Sequence, residues 1–255
     1  MSQNAFYTFL YVTGDLARFA GQFFPQLVRP EYEIREGIRQ SYLIGVKSLG
    51  LISLTTFIIG MVLCMQIRPY MVDFGVVSEL PAILCIAIIR EVGPVLTALV
   101  FAGKIASSIS AELASMRVTE QIDAMDVSGT NPYKYLVVTR VLACTLMLPL
   151  LSVLACGLAL TGSFLAINLD GFTSYQIFWS EVFSSLNISD VLPAFLKTFF
   201  FGFVVGMVGC YKGYFSKTNT QGVGESANRA VVLSSILIFV VDLFVVGITY
   251  LLGFI

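Results

Sequence analysis

Four ionisable side chains interrupt long apolar runs of this sequence: Arg90, Glu91, Lys197 and Asp242. A charge at the centre of a bilayer costs about 2.5–3.5 kcal/mol on insertion scales, so such residues face a protein interior or a wet cavity. Two of the four are cationic and two are anionic, so they can neutralise one another. They could simply hold helices together, receive a charged headgroup in a cavity, or relay protons. The chain has no histidine, the side chain that titrates near neutral pH without perturbation, and this weakens the proton relay.

The composition of the surrounding chain is typical of an integral membrane protein. Hydrophobic residues make up 57 % of the 255 residues and charged residues 12 %, whereas soluble domains carry about 25 % charged residues. Several apolar runs reach the ~20 residues that cross a hydrocarbon core. No polar stretch is long enough for a separate soluble catalytic domain.

We predict an all-α fold with five transmembrane helices, an N-terminal interfacial helix and a cytoplasmic helix between spans two and three. The interfacial helix covers residues 5–28, whose apolar run is broken by Asp15, Arg18 and Gln22. The first span ends at Arg68, Pro69 and Tyr70, and the second continues as a helix past the membrane. A polar stretch at 168–191 contains Trp179, a typical interfacial anchor. The predicted spans are 49–67, 80–103, 141–167, 193–211 and 230–252, and the predicted domains are 1–42 (interfacial and elbow helices) and 43–255 (transmembrane).

The five cysteines all lie inside apolar runs, and none forms a CxxC pair. Together with the lack of histidine, this argues against a disulfide framework or a zinc site. We interpret the cysteines as small packing residues.

Basic residues set the orientation, because loops on the cytoplasmic side of a membrane carry an excess of lysine and arginine. Most of the 15 basic residues flank the start of span one, the loop after span two and the loop after span four. Only Arg68 falls on the opposite side, and Arg90 and Lys197 lie within spans. The bias predicts a cytoplasmic N-terminus and a C-terminus on the other side.

Small residues recur every four positions along span two and its extension, in two neighbouring rows. Small residues on one face let helices approach closely in lipid, so the rows predict tight helix packing. The first row is Ala98, Ala102, Ala106, Ser110 and Ala114, and the second is Gly103, Ser107, Ala111 and Ser115.

The loop after span two carries apolar and acidic residues at helical spacing. Met116, Glu120, Ile122, Met125 and Val127 predict a short, partly amphipathic helix that Gly129 and Pro132 would end. Such a helix could dock into the groove of a partner or pack on its own protein, and the pattern favours neither. The run TQGVGE at 220–225 lacks the lysine and hydroxyl residue of a P-loop, so any ATP would be bound by another subunit.

A longer pattern surrounds these residues and resembles the MlaE/YrbE family of permeases. It consists of REVGP at 90–94, AGKIASSISAELASMRVTEQIDAM at 102–125, NP at 131–132 and RVLA at 140–143. The run NRAVVLSS at 228–235, with Asp242 after it, is similar to the last span of that family. The likeness extends from about Ile44 to the C-terminus.

The resemblance implies the permease subunit of an ABC transporter that moves phospholipid between inner and outer membranes. Such permeases are homodimers in the bacterial inner membrane. Each pairs with a cytoplasmic MlaF-like ATPase, which binds ATP and Mg, and the dimer carries a periplasmic ring of MlaD-like MCE-domain subunits. Some systems add an MlaB-like STAS-domain protein. We therefore expect no enzyme activity, cofactor or nucleic-acid partner for this chain.

The resemblance also assigns candidate site residues. Arg90, Glu91, Lys197 and Asp242 match polar positions that line or support the central cavity, and Arg229 matches another charged position of the family. The coupling helix, which lies against the ATPase, corresponds to Met116, Arg117, Glu120, Gln121, Ile122 and Met125. The loop at 215–225 does not align with the family and is left out of the site.

Two other functions fit the residues. A proton-coupled secondary transporter would use Glu91 and Asp242 as its relay and would work without an ATPase. A non-transporting scaffold would only anchor periplasmic subunits. Cavity substitutions that assemble normally and fail to transport would distinguish the permease from the scaffold.

Overall fold

The computed structural model describes residues 2–28, 33–169 and 174–251, with side chains described from residue 14 onward. These residues are helical almost throughout, and no β-strand occurs among them. Residue 252, the predicted end of span five, and Arg29 lie outside the described residues. The described helices are α1 (Ser2–Val28), α2 (Ile34–Asp73), α3 (Val77–Val118), α4 (Gln121–Val127), α5 (Tyr133–Asn168), α6 (Tyr175–Ser185), α7 (Ile188–Tyr214) and α8 (Thr220–Leu251).

Five helices of the described chain are long and apolar enough to cross a membrane: α2, α3, α5, α7 and α8. They contain the five predicted spans, so the predicted all-α membrane fold is confirmed. The N-terminal segment forms the predicted helix, α1, and its place at the membrane interface stays a prediction. The predicted domain boundary at 42/43 falls inside the continuous helix α2.

The differences from the sequence prediction include two helix ends and one additional helix. Helix α2 runs through Pro69 to Asp73, so the proline lies inside the helix, one turn before its end. Helix α8 begins at Thr220, because Asn219 Oδ1 accepts a 2.7 Å hydrogen bond from the Gly222 amide and caps the first turn. The glycine-rich run at 220–225 is therefore helical. Helix α6 was not predicted, and it begins where Ser174 accepts a hydrogen bond from the Ile177 amide.

The chain divides into two compact units, and each consists of parts of several helices. The first unit comprises Met1–Ile44, Ala102–Cys144 and Phe203–Ser235, and the second comprises Gly45–Phe101, Thr145–Gly202 and Ile236–Ile255. In the second unit, a core cluster brings together α2, α3, α5 and α6, with Leu84, Ile88 and Phe178 fully buried. Cys64 and Cys85 belong to this cluster as free, buried packing residues.

Two glycines allow α2 and α5 to touch in the second unit. A Cβ at Gly60 would collide with the carbonyl oxygen of Ala159, and a Cβ at Gly162 would collide with that of Phe57. Ser163 Oγ donates to the Gly60 carbonyl at 2.9 Å across the same contact. This contact therefore depends on glycine.

The first unit shows the tight packing that the small residues predict. All residues of the first row are buried, and all but Ala98 belong to this unit, whereas the second row is partly or fully exposed. Helix α7 lies against the buried row, since a Cβ at Gly213 would come 2.7 Å from the Ser110 carbonyl oxygen. Helix α1 joins this unit through Phe19, which is buried and whose carbonyl accepts a 2.6 Å hydrogen bond from the Tyr133 hydroxyl.

Candidate functional site

Lys197 joins three spans of the second unit through two ion pairs. From α7, its Nζ lies 2.7 Å from Glu91 Oε2 on α3 and 2.9 Å from Asp242 Oδ1 on α8. The Lys197 side chain is 2 % exposed, that of Asp242 18 % and that of Glu91 45 %. A cation buried this deeply needs such partners, because desolvation of an unpaired charge is costly. Three of the predicted site residues thus form one cluster.

Arg90 belongs to a second ion pair beside this cluster, and its partner is Asp190. The Arg90 Nε lies 2.9 Å from Asp190 Oδ1, and Nη2 donates to the same oxygen. Asp190 stands in the first turn of α7 and is 5 % exposed, whereas Arg90 is 31 % exposed. The sequence prediction missed Asp190, which falls in the stretch interpreted as polar. Its spacing from Lys197, two helical turns along one face, is the signal that could have found it.

A π-helical turn at Ile88–Val92 carries Arg90 and Glu91. The Gly93 amide donates to the Ile88 carbonyl five residues back, and Pro94 has no amide to donate to Arg90. The wide turn therefore follows from the local sequence. Gly93 is also required sterically, because a Cβ there would collide with Cys156 Sγ. π-Turns of this kind often occur at functional sites.

A small cavity of about 30 Å³ lies among these ion pairs, with Arg90, Glu91, Asp190 and Lys197 in a lining that also includes apolar side chains of α7 and α8. This volume holds about two water molecules, since one needs roughly 10–15 Å³. Water here would solvate the charges that the ion pairs leave exposed. Among the described residues, no group of histidine, cysteine and acidic side chains could hold a metal ion.

Arg229 is not part of this cluster. It lies on α8 in the first unit, is 63 % exposed and pairs with Glu225 one turn earlier. The structure therefore gives this predicted site residue a different partner from those of the four intramembrane charges.

The predicted coupling helix is shorter than the sequence suggested. Helix α4 begins at Gln121, after Glu120 adopts a left-handed conformation with φ of 57°. Met116 and Arg117 therefore lie on the last turn of α3, and assigning them to the short helix was wrong. On α4, Ile122 is buried, Met125 is half-buried and Gln121 is exposed. Arg117 still contacts α4 through an ion pair with Asp123.

Arg140 connects the helices on either side of this loop. Its Nη2 lies 2.7 Å from Glu112 Oε1 on α3, and its Nη1 lies 2.9 Å from the Leu136 carbonyl oxygen. The π-helical turn at Tyr133–Val138 changes the local backbone hydrogen bonding, and the guanidinium donates a hydrogen bond to one carbonyl oxygen of this turn. Arg140 is 3 % exposed. This buried contact of Arg140 with Glu112 and the Leu136 carbonyl oxygen, next to the loop that contains α4, is called the Arg140 brace.

Five membrane-crossing helices and a network of ion pairs among them define a multi-pass membrane protein. Comparison with known proteins gives the family. A family model described as "Permease MlaE" matches residues 37–248. A Rickettsia felis protein named "Probable ABC transporter permease protein" is 36 % identical over 234 residues, covering 91 % of this chain and 90 % of its own length.

Similar relatives occur in other organisms as well. A protein of Synechocystis with the same descriptive name is 35 % identical and covers 88 % of this chain and 85 % of its own length. One of Pyropia yezoensis is 39 % identical, covering 80 % and 78 %. This chain therefore belongs to the MlaE family of ABC transporter permeases. A permease of this class works with an ATPase partner and is not itself the catalytic subunit.

Proposed function

We propose that this chain moves phospholipid between the inner and outer membranes of a bacterium. It works as a homodimer in the inner membrane, with its N-terminus cytoplasmic and its C-terminus periplasmic. An MlaF-like ATPase supplies ATP hydrolysis, and an MlaD-like MCE-domain ring receives or delivers the lipid, in some systems with an MlaB-like subunit. The family membership supports the ABC mechanism, and the ion-pair cluster supports a polar lipid as the substrate.

One observation carries the lipid proposal: the charged groups of α3 are half-exposed, while their partners on α7 are buried. Glu91 is 45 % and Arg90 31 % exposed, against 2 % for Lys197 and 5 % for Asp190. The buried partners fix the position of a neighbouring carboxylate and guanidinium that remain accessible. Such a pair complements a zwitterionic headgroup, with the phosphate on Arg90 and the ammonium on Glu91.

The exposed surface of α8 supports the homodimer. Of the five spans, α8 has the smallest share of buried residues in its most apolar part, 11 %. Its outward residues include Phe239, Leu243 and Phe244, which are 54 %, 74 % and 67 % exposed. Because Asp242 lies on the same helix, a second copy packed here would bring two ion-pair clusters to one interface.

The loop between α3 and α5 supports contact with the ATPase. Helix α4 directs Asp123, Asp126 and Val127 outward, and Val127 is 90 % exposed. Its base is held by the buried Arg140 brace, so a push on α4 would be transmitted to α3 and α5. We therefore assign α4 as the coupling helix.

The experiment is ATP-driven transfer of labelled phospholipid by the purified complex. The complex is reconstituted in liposomes, and transfer to the MCE-domain subunit is measured with and without ATP. Glu91→Gln leaves Lys197 paired with Asp242, so this variant should assemble with the ATPase and lose transfer. The control Arg39→Gln changes an exposed residue whose ion pair with Glu36 lies outside the cluster, and it should transfer normally.

Three outcomes would overturn parts of the proposal. An intact wild-type complex that hydrolyses ATP without moving phospholipid would exclude this substrate. Transfer that continues without the ATPase would favour the secondary transporter. Loss of assembly in every cluster variant, with no separate loss of transfer, would favour the scaffold.

A further inference from the structure

A large apolar cavity lies beside the ion-pair cavity in the second unit, among α3, α5, α6 and α7, and Ala194 lines both. Its volume is about 370 Å³, and all the described side chains that line it are uncharged. Ile89 and Pro94 contribute from α3, Cys156 and Gly157 from α5, and Phe195 from α7. Trp179 and Phe183 of α6 line it as well. The cavity is therefore larger and far less polar than the one at the ion pairs.

A cavity of this kind attracts hydrocarbon and excludes water. Protein interiors are close-packed, so a large gap leaves its lining without dispersion contacts. Apolar cavities of roughly 150 Å³ stay dry and take up small apolar ligands. This cavity is more than twice that size, and its lining offers few polar partners to hold water.

The mouth of the cavity opens where hydrocarbon is available. Val153 and Val191 line it from two spans and are 60 % and 40 % exposed, and Phe183 is 67 % exposed. Within the hydrocarbon core, side chains of membrane-crossing helices that no protein covers face acyl chains. Helix α6 is too short to span, and its Trp179 packs on the core cluster with the indole N–H buried. An acyl chain could therefore enter at the exposed side chains of the mouth and extend between the spans.

A second copy of the protein is a less suitable occupant. None of the lining residues comes from α2 or α8, the two spans with the smallest share of buried residues. A dimer that covers those two spans would use surfaces other than the lining of the cavity. We propose that this cavity binds one acyl chain of a phospholipid from the surrounding bilayer, as a resident lipid of each protomer.

Photo-crosslinking with a lipid of defined chemistry tests the site. The chain and its ATPase partner are reconstituted in nanodiscs that contain phosphatidylcholine with a diazirine on one acyl chain. After illumination, mass spectrometry locates the modified residues. Labels are expected on the cavity-lining parts of α5 and α6, including Cys156 and Phe183. Absence of label there in the wild-type protein would overturn the proposal.

A filled cavity provides the matched comparison. A Cβ at Gly157 meets no atom within 4 Å, so Gly157→Leu adds a side chain at the wall of the cavity with no collision at its Cβ. Labelling should be lost in this variant and retained in Gly50→Leu, an equally open glycine on α2 outside the cavity. Unchanged labelling in Gly157→Leu would overturn the site. If Gly157→Leu does not fold, Val153→Trp at the exposed mouth is tested in its place and should also lose the labelling.

Two further outcomes would identify another occupant. Crosslinks between two copies through the mouth residues would replace the lipid with a protein interface. Loss of label during ATP hydrolysis would show that the acyl chain in the cavity belongs to a transported lipid, and this too would contradict a resident lipid. Labelling that is independent of ATP supports the resident lipid, whatever the transport assay shows.

Discussion

Replacement of Lys197 by methionine tests the ion-pair cluster most directly. Methionine keeps an unbranched side chain of similar length and removes the charge. Two carboxylates, Glu91 and Asp242, would then lose an ammonium that lies 2.7 and 2.9 Å away. The two carboxylates would also face one another, so the negative charge of each would raise the free energy of ionising the other.

The size of the effect follows from burial. Removing one partner of a buried pair costs about 3–5 kcal/mol. Asp242 is 18 % exposed, so its unpaired charge should account for most of the lost stability. Glu91 is 45 % exposed and can be hydrated, so its unpaired charge should add little to the loss. The expected loss is therefore about 3 kcal/mol, the lower end of the range. For a chain of this size it corresponds to a fall in Tm of roughly 6–12 °C.

A neutral triple variant separates stability from transport. Lys197→Met combined with Glu91→Gln and Asp242→Asn leaves no unpaired charge, so the penalty of an uncompensated buried carboxylate is removed. We expect it to recover most of the lost Tm and to remain inactive in phospholipid transfer. Arg39→Met, which breaks an exposed pair, should change stability by less than about 1 kcal/mol.

The assay is thermal unfolding followed by size-exclusion chromatography in detergent, together with ATP-driven lipid transfer. A triple variant that transfers lipid at the wild-type rate would show that the charges only hold the helices together. A Lys197→Met variant with unchanged Tm would refute the energetic argument.

Three further predictions concern other parts of the chain. Gly60→Val should reduce the yield of folded protein, measured by size exclusion, because its Cβ would collide with a carbonyl oxygen of α5, while Gly50→Val should not. Arg140→Met should lower the free energy of unfolding by about 1–3 kcal/mol and allow ATP hydrolysis without lipid transfer. Arg140→Lys should restore part of the coupling between hydrolysis and transfer, because a lysine can still pair with Glu112. Equal coupling in the two variants would contradict the role of the Arg140 brace. Glu120→Lys should weaken co-purification of the ATPase and Glu120→Gly should fold normally, since a φ of 57° suits glycine; unchanged co-purification of Glu120→Lys would count against the contact.

The spans and their charges could be predicted because apolar length is a strong signal. Every predicted span lies within one helix, apart from residue 252, which falls outside the described residues. The grouping of Glu91, Lys197 and Asp242 could be expected from charge balance, but pattern alone could not assign their partners. The pairing depends on the π-helical turn, which a period of 3.6 residues does not describe.

The missed elements have local signals that apolar length does not register. Helix α6 is only 11 residues long, and its evidence is the capping Ser174 followed by Phe178 and Val182 at helical spacing. The early start of α8 depends on the capping side chain of Asn219. The break between α3 and α4 depends on one left-handed residue, Glu120, a conformation that glutamate rarely adopts.

The two ion pairs between α3 and α7 also fix the register of these helices. Along α7 the order is acid then base, Asp190 then Lys197, and along α3 it is base then acid, Arg90 then Glu91. An axial slip of α7 in one direction would bring Lys197 towards Arg90, and a slip in the other direction would bring Asp190 towards Glu91. At 4 Å, each such like-charge contact costs about 4 kcal/mol at an effective dielectric constant of 20. Because apolar helices in lipid slide past one another with little penalty, this alternation of sign gives the pair a single alignment, and a charge reversal at one position would favour a shifted one.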